Sequence, residues 1–206
     1  MYKVKKLHIF YLITTIIMLI LSGINPYERS TWFLEIAPVL IALPILIYTY
    51  NKFRLTDLTY TLIWIHCIIL MVGGHYTYAK VPLFDYIRDY FGLVRNYYDR
   101  LGHIAQGFIP AIIARELLIR KTPLKSGGWL FTIVVFMCLG VSAAYELIEF
   151  LAAKILGENA EAFLGTQGDV WDTQWDMTCA LIGSITSLII FRKYHDRLIK
   201  NLNFRS

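Results

Sequence analysis

The chain has 206 residues and a net charge of +5, and 57% of it is hydrophobic, against about 45–50% in a soluble domain. The apolar residues fall in separated runs without strand-like alternation, which excludes a soluble globular reading and a β-barrel and leaves a helical membrane protein. The basic residues gather at the ends of those runs, so the positive balance speaks of topology and not of nucleic acid.

The sequence predicts an all-α polytopic bundle, one integral membrane domain over 1–206, without internal repeats. Six spans are expected, at about 7–23, 31–50, 57–74, 99–119, 127–153 and 175–191, each near the ~20 residues that cross ~30 Å of hydrocarbon. The first opens with MYKVKKLHIF, a basic start that a signal peptide would share. No small-x-small cleavage site follows, so it is read as a retained helix. Pro38 and Pro44 are expected to bend the second helix, and Pro110 the fourth. Between the third and fourth helices, the stretch 81–97 sets apolar and aromatic residues at helical spacing around Asp85, Arg88, Asp89 and Arg95. It reads as an amphipathic helix on the membrane interface, or equally as a lid on the bundle. The loop 157–173 is the second segment on that side. Cys67, Cys138 and Cys179 lie singly in apolar runs, without CxxC, and are expected to be free.

Thirteen of the twenty Lys and Arg residues fall at one set of helix ends and six at the other, with Arg115 near the inner end of the fourth helix. The positive-inside rule therefore predicts both termini in the cytoplasm. Of the fifteen acidic residues, only Asp57, Glu116 and Asp196 belong to that side. The outer face is expected to be acidic and to carry histidine. The tail from Arg192 to Arg205 could also meet anionic lipid.

Five acids stand out in the last third: Glu146 and Glu149 in AAYELIEF, and Asp169, Asp172 and Asp176 in GDVWDTQWDM. Each costs at least ~2–3 kcal/mol at a bilayer centre, and less toward the interface. Nineteen residues after Gly127, at ~1.5 Å each, put Glu146 about 28 Å along the fifth helix, near its outer end. Asp169, Asp172 and Asp176 share one face if the sixth helix starts early. Asp99 opens the fourth helix, with His103 one turn further in and Gln106 on the same face. His75 closes the third helix. Ionisable groups from four helices are thus expected in one thin layer under the outer surface, as a shared polar site or as ordinary interface residues in outer water.

Arg100 is the basic residue nearest in sequence, and one arginine does not neutralise five carboxylates. A divalent cation would, and carboxylate with imidazole suits zinc or manganese, while carboxylate alone suits magnesium or calcium. The candidate metal ligands are His103, Glu146 and Asp176, followed by Asp99, Asp169 and His75. Glu149 and Asp172 are the candidates for a catalytic base. Bland readings exist for each: a dipole-complementing acid at Asp99 and Asp169, shared protons or a bond to Tyr145 at Glu146 and Glu149, a solvated residue at His75. Glu116 beside Arg115 reads as a local charge pair, His66 as a helix–helix hydrogen bond, and Trp171 and Trp175 as part of an aromatic belt.

The segments DRLGHIAQGFIPAIIARELL, SAAYELIEF and QGDVWDTQWDMTCALIGS resemble the YjdF-like family of bacterial inner-membrane proteins, a family of unknown function. The resemblance covers most of the chain and implies a multi-pass inner-membrane protein, with no established reaction or ligand. A fainter similarity to VanZ-like membrane proteins rests on His103, Glu146 and the Asp172–Asp176 segment; Met177–Cys179 stand where that group carries an asparagine.

Three functions compete. The first is a metal-dependent enzyme, a hydrolase acting on a lipid or envelope precursor at the outer leaflet, with membrane lipids as its surroundings. The second is an ion-coupled transporter using His66, although transporters favour midplane sites and repeats. The third is a scaffold that packs through Ala180, Gly183, Ser184 and Ser187. Substrate, metal identity and oligomeric state are not legible.

Overall fold

The computed structural model describes residues 4–156 and 166–203. Seven helices and no strand occur among them: α1 (Lys6–Ser22), α2 (Arg29–Thr49), α3 (Asp57–Tyr76), α4 (Pro82–Phe91), α5 (Tyr98–Lys121), α6 (Gly128–Leu156) and α7 (Asp172–Asn203). Their boundaries follow local chemistry. Thr56 caps α3 by accepting a hydrogen bond from the Thr59 amide, and Asp57 sits in its first turn, where a negative charge meets the helix dipole. Pro82 opens α4, where its missing N–H costs nothing. Gly92, with φ of 62°, closes it. The amphipathic segment expected over 81–97 is therefore helical only to Phe91. Leu83, Tyr86, Tyr90 and Phe91 stay exposed on α4, while Phe84 packs against the Tyr98 ring with centroids 5.2 Å apart.

The helices form two layers. In one, α1 and α2 both lean on α3; in the other, α5, α6 and α7 pack on one another; α3 against α5 joins them. Cores lie between α2 and α3 (Trp32, Ile36, Val39, Cys67, Met71), between α3 and α5 (Leu62, Ala105, Ile109, Ile112), and among α5, α6 and α7 (Ala111, Leu130, Val134, Cys138, Leu188). The α5–α7 contact is the most intimate. A β-carbon at Gly107 would lie 1.8 Å from the Ala180 carbonyl oxygen, and one at Gly183 would lie 2.2 Å from the Ile104 carbonyl oxygen. Each helix supplies the glycine that lets the other's backbone approach. The small-residue face of α7 expected to serve a partner is thus used within the chain.

Four helices, α2, α3, α6 and α7, are long and apolar enough to cross a membrane, and α1 is a shorter apolar helix. The central helix α5 is polar by composition, yet Asp99, Arg100, His103, Arg115 and Glu116 are all buried by its neighbours. The bundle's outer surface is apolar instead, with Ile13, Ile17, Ile41, Ile45, Phe136, Leu147, Ile182 and Ile189 exposed. That inversion, polar inside and apolar outside, is what hydrocarbon solvent demands.

At the end of the bundle that carries the α1 start and the α7 finish, Glu116 and Arg115 do not pair. Adjacent helical residues point about 100° apart. Glu116 accepts hydrogen bonds from the Thr56 amide and hydroxyl (both 2.9 Å), the Thr59 hydroxyl (2.6 Å) and Arg120 Nη1 (2.7 Å), with His195 Nε2 at 3.1 Å. Arg115 instead reaches Asp196 at 2.5 Å and Ser126 at 3.1 Å. His195 bridges the two, with Nδ1 3.2 Å from Arg115 Nη1 and Nε2 on Glu116, so the expected local charge pair is instead one long-range network that ties α3, α5 and α7 together.

Candidate metal centre

The opposite end of the bundle gathers the acids. The first turns of α5 and α7 face each other there because the paired glycines bring the two backbones together two turns further in. Asp99, Arg100 and His103 project from α5, Asp172 and Asp176 from α7, and Glu146 and Glu149 from the last part of α6. The loop before α7 adds Asp169, whose Oδ1 accepts from the Trp171 amide at 2.9 Å.

Two arginines stand among these acids. Arg100 Nη2 lies 2.6 Å from Asp172 Oδ1 and 3.2 Å from Asp169 Oδ2, and its Nη1 contacts Asp176 Oδ1 and, at 3.4 Å, Asp99 Oδ2. Arg95, only 5% exposed, places Nη1 2.5 Å from Asp172 Oδ1 and Nη2 3.5 Å from Asp99 Oδ2. Arg95 was read from sequence as one charge on an amphipathic segment. The structure turns it inward, because α4 ends at Gly92 and the chain doubles back toward α5. Asn96 fixes that return: its side chain donates to the Val81 carbonyl (3.1 Å) and Asp85 (3.0 Å), and its oxygen accepts from the Tyr98 amide (3.0 Å). Gln167 clamps the Asn96 backbone on both sides, at 2.9 Å each. Asn96 is buried and Gln167 exposed, and neither carries a sequence signature beyond its polarity.

Deeper in, the geometry changes. His103 Nδ1 lies 2.9 Å from Gln106 Oε1 and donates to it, which turns Nε2 toward the acids. Three carboxylate oxygens surround Nε2: Asp99 Oδ1 at 3.6 Å, Asp176 Oδ1 at 3.6 Å and Glu146 Oε1 at 3.9 Å. These are too long for hydrogen bonds. Glu146 is 7% exposed and its Oε1 has no hydrogen-bond partner. Zinc–ligand bonds of about 2.0–2.2 Å in a tetrahedron put neighbouring donor atoms about 3.3–3.6 Å apart. The Nε2 spacings to Asp99 and Asp176 match that geometry and the one to Glu146 is slightly longer, and Gln106 supplies the outer hydrogen bond that orients a ligating histidine. Asp99, His103 and Asp176 form one group within cation-binding reach, and His103, Glu146 and Glu149 a second that shares the histidine.

Of the residues singled out from sequence, Asp99, His103, Glu146, Glu149 and Asp176 thus meet. Asp169 and Asp172 sit a layer further out, on the arginines. His75 lies elsewhere, with Nδ1 2.9 Å from the Ser22 carbonyl oxygen at the end of α1. One acid was passed over: Glu35 of α2 is buried and accepts from the Tyr145 hydroxyl at 3.3 Å. An acid in the apolar run of a predicted span was the signal available.

The sequence matches the family described as predicted membrane protein (DUF2238) over residues 7–197. Inner membrane protein YjdF of Escherichia coli (strain K12) is 46% identical over 188 residues, covering 91% of this chain and 90% of that protein. No solved structure matches.

Proposed function

Since the chain belongs to the DUF2238 family of predicted membrane proteins, we propose that it is a six-span inner-membrane enzyme, a metal-dependent hydrolase whose site faces the extracytoplasmic side. Its localisation follows the name of its Escherichia coli relative. Its spans are the four long apolar helices, the shorter α1, and α5, whose charges are sheltered by the other five. The basic residues at the termini hold both ends in the cytoplasm. The exposed aromatic side of α4 rests on the outer interface and meets amphipathic substrate there.

One observation carries the catalytic reading: three buried carboxylate oxygens lie around His103 Nε2 at non-bonding distances, and one of them, Glu146 Oε1, has no other partner. A divalent cation would be held by Asp99, His103, Glu146 and Asp176, with zinc or manganese best suited to the nitrogen–oxygen set. Such an ion acidifies bound water and polarises an ester or phosphoryl oxygen. Glu149, in the group that shares His103, is the residue placed to take a proton. Arg95 and Arg100 hold Asp169 and Asp172 and so fix the α7 entrance against α5. The substrate class is a membrane lipid or envelope precursor reached from the outer leaflet.

Purified protein should contain about one equivalent of divalent metal, and His103→Ala or Glu146→Gln should lose it while keeping the thermal transition. Folded wild-type protein that stays metal-free after zinc and manganese supplementation would sink the enzyme reading. A second reading, a non-catalytic scaffold, is favoured by the arginine network itself, which would serve as a purely structural clamp. Normal cellular function after joint neutralisation of Glu146, Asp172 and Asp176 would select it.

A further inference from the structure

A cavity of about 590 Å³ lies between α2, α3 and α6, and its walls are almost wholly apolar. It runs from Leu34 to Leu46 along α2, reaches Leu55 just before α3, and is bounded by His66 of α3 and by Tyr145 and Ile148 of α6. Twelve residues of helix rise about 18 Å, so the cavity crosses the midplane of a hydrocarbon layer about 30 Å thick, with room for the length of an acyl chain. The cavity opens sideways. Ile41, Ile45 and Ile148 on its rim are 62%, 54% and 52% exposed. α2 leans on α3 while α6 leans on α5 and α7, so neither helix closes the gap between them. At the Leu34 end the lining reaches Tyr145, whose hydroxyl donates to Glu35, and Glu146, one residue on, has an Oε1 without a hydrogen-bond partner. A long apolar slot, open to lipid and ending beside buried polar groups, has the shape of an amphipathic molecule.

We propose that the cleft between α2 and α6 holds one hydrocarbon chain of an outer-leaflet lipid, entering sideways from the bilayer with its head at the Glu146–His103 centre. The head-group half of this statement rests on the metal-site reading; the chain half rests on the cleft alone. The substrate class is then a membrane lipid with a bond to be hydrolysed near its head, and a water-soluble envelope precursor is ruled out. The second large cavity, about 290 Å³ between α1, α2 and α3, is lined by His8, Tyr50 and Tyr60 near the opposite end and reaches none of the acids. It shares Leu46, Ile63 and Cys67 with the cleft, so the control for indiscriminate lipid contact is read at His8, Leu12 and Tyr60, which line it alone.

The test is photolabelling of the full-length protein in bilayer nanodiscs, using a synthetic phospholipid with a diazirine near the end of one acyl chain. Peptides are mapped by mass spectrometry and metal content is measured on the same samples. Labelling should concentrate on α2 and α6 residues of the cleft. It should fall about tenfold in Ala42→Trp, with Ala37→Phe as a second blocking variant should the first not fold. Metal content should be unchanged in both, and cleft labelling should persist in His103→Ala. Equal labelling of the cleft, the second cavity and the outward α1 face would overturn the proposal, as would labelling indifferent to both blocking variants. Selective cleft labelling in a protein that never binds metal would support the groove and refute the metal centre, so the two failures are distinguishable.

Discussion

Replacing Arg100 with methionine removes a cation that touches four carboxylates at once. It lies 2.6 Å from Asp172, 3.2 Å from Asp169 and 3.4 Å from Asp99, and contacts Asp176. Asp172 and Asp176 are nearly inaccessible to water, so their charges lose compensation that solvent does not replace. Breaking a buried pair in this way costs about 3–5 kcal/mol. At roughly 2–4 °C per kcal/mol for a chain of this size, the melting temperature should fall by about 6–20 °C. Arg95 still holds Asp172 at 2.5 Å and Asp99 at 3.5 Å, which sets the expectation toward the lower end of that range. Thermal unfolding in a mild detergent, followed by intrinsic tryptophan emission, reads the change. Adding Asp172→Asn to Arg100→Met should recover part of the loss, because it removes the stranded charge. Arg100→Lys should recover little, since an ammonium lacks the planar fork that serves several oxygens together. A loss below about 1 kcal/mol, the range of an exposed ion pair, would refute the claim that this network is buried and mutually dependent.

Gly107→Val and Gly183→Val should each prevent a folded monomer, read as loss of the symmetric peak in detergent size exclusion, because the β-carbon meets a backbone carbonyl at 1.8 Å or 2.2 Å. Glu116→Gln should destabilise by about 3 kcal/mol in the same thermal assay, since it removes the charge that Arg120 and the Thr56 and Thr59 donors serve. His75→Ala should leave bound metal unchanged by elemental analysis, because its ring is engaged at Ser22. Metal lost in that variant would tie His75 to the site after all.

The helices were legible because each apolar run is near one membrane thickness, and start signals such as Thr56–Asp57 mark their ends. The depth of the acids was legible for the same reason: counting residues at a fixed rise gives height. Azimuth was not. Glu116 and Arg115 are neighbours in sequence but reach different charged partners and meet only through His195, because one residue step turns a helix by about 100°. His75 has the right height and the wrong side, facing α1 where His103 faces α6 and α7. Arg95 was hidden for another reason. It lies beyond Gly92, where the helical pattern of α4 continues in sequence but the backbone leaves it, so its inward turn depends on Asn96 and Gln167. The charge balance of the site follows from it: Arg95 and Arg100 serve Asp169 and Asp172, Arg100 also reaches Asp99 and Asp176, and Glu146 Oε1 is left without a hydrogen-bond partner. α5 shows the limit of hydropathy alone, since its polar residues are those its neighbours bury.

The central claim is that His103, Glu146, Asp99 and Asp176 bind a divalent cation. Anomalous diffraction from crystals of the full chain grown with zinc or manganese tests it most directly. The account predicts one peak within about 2.0–2.3 Å of His103 Nε2 and Glu146 Oε1, absent in Glu146→Gln crystals. A well-ordered cluster without a peak, or a peak held only by surface groups elsewhere, would contradict it.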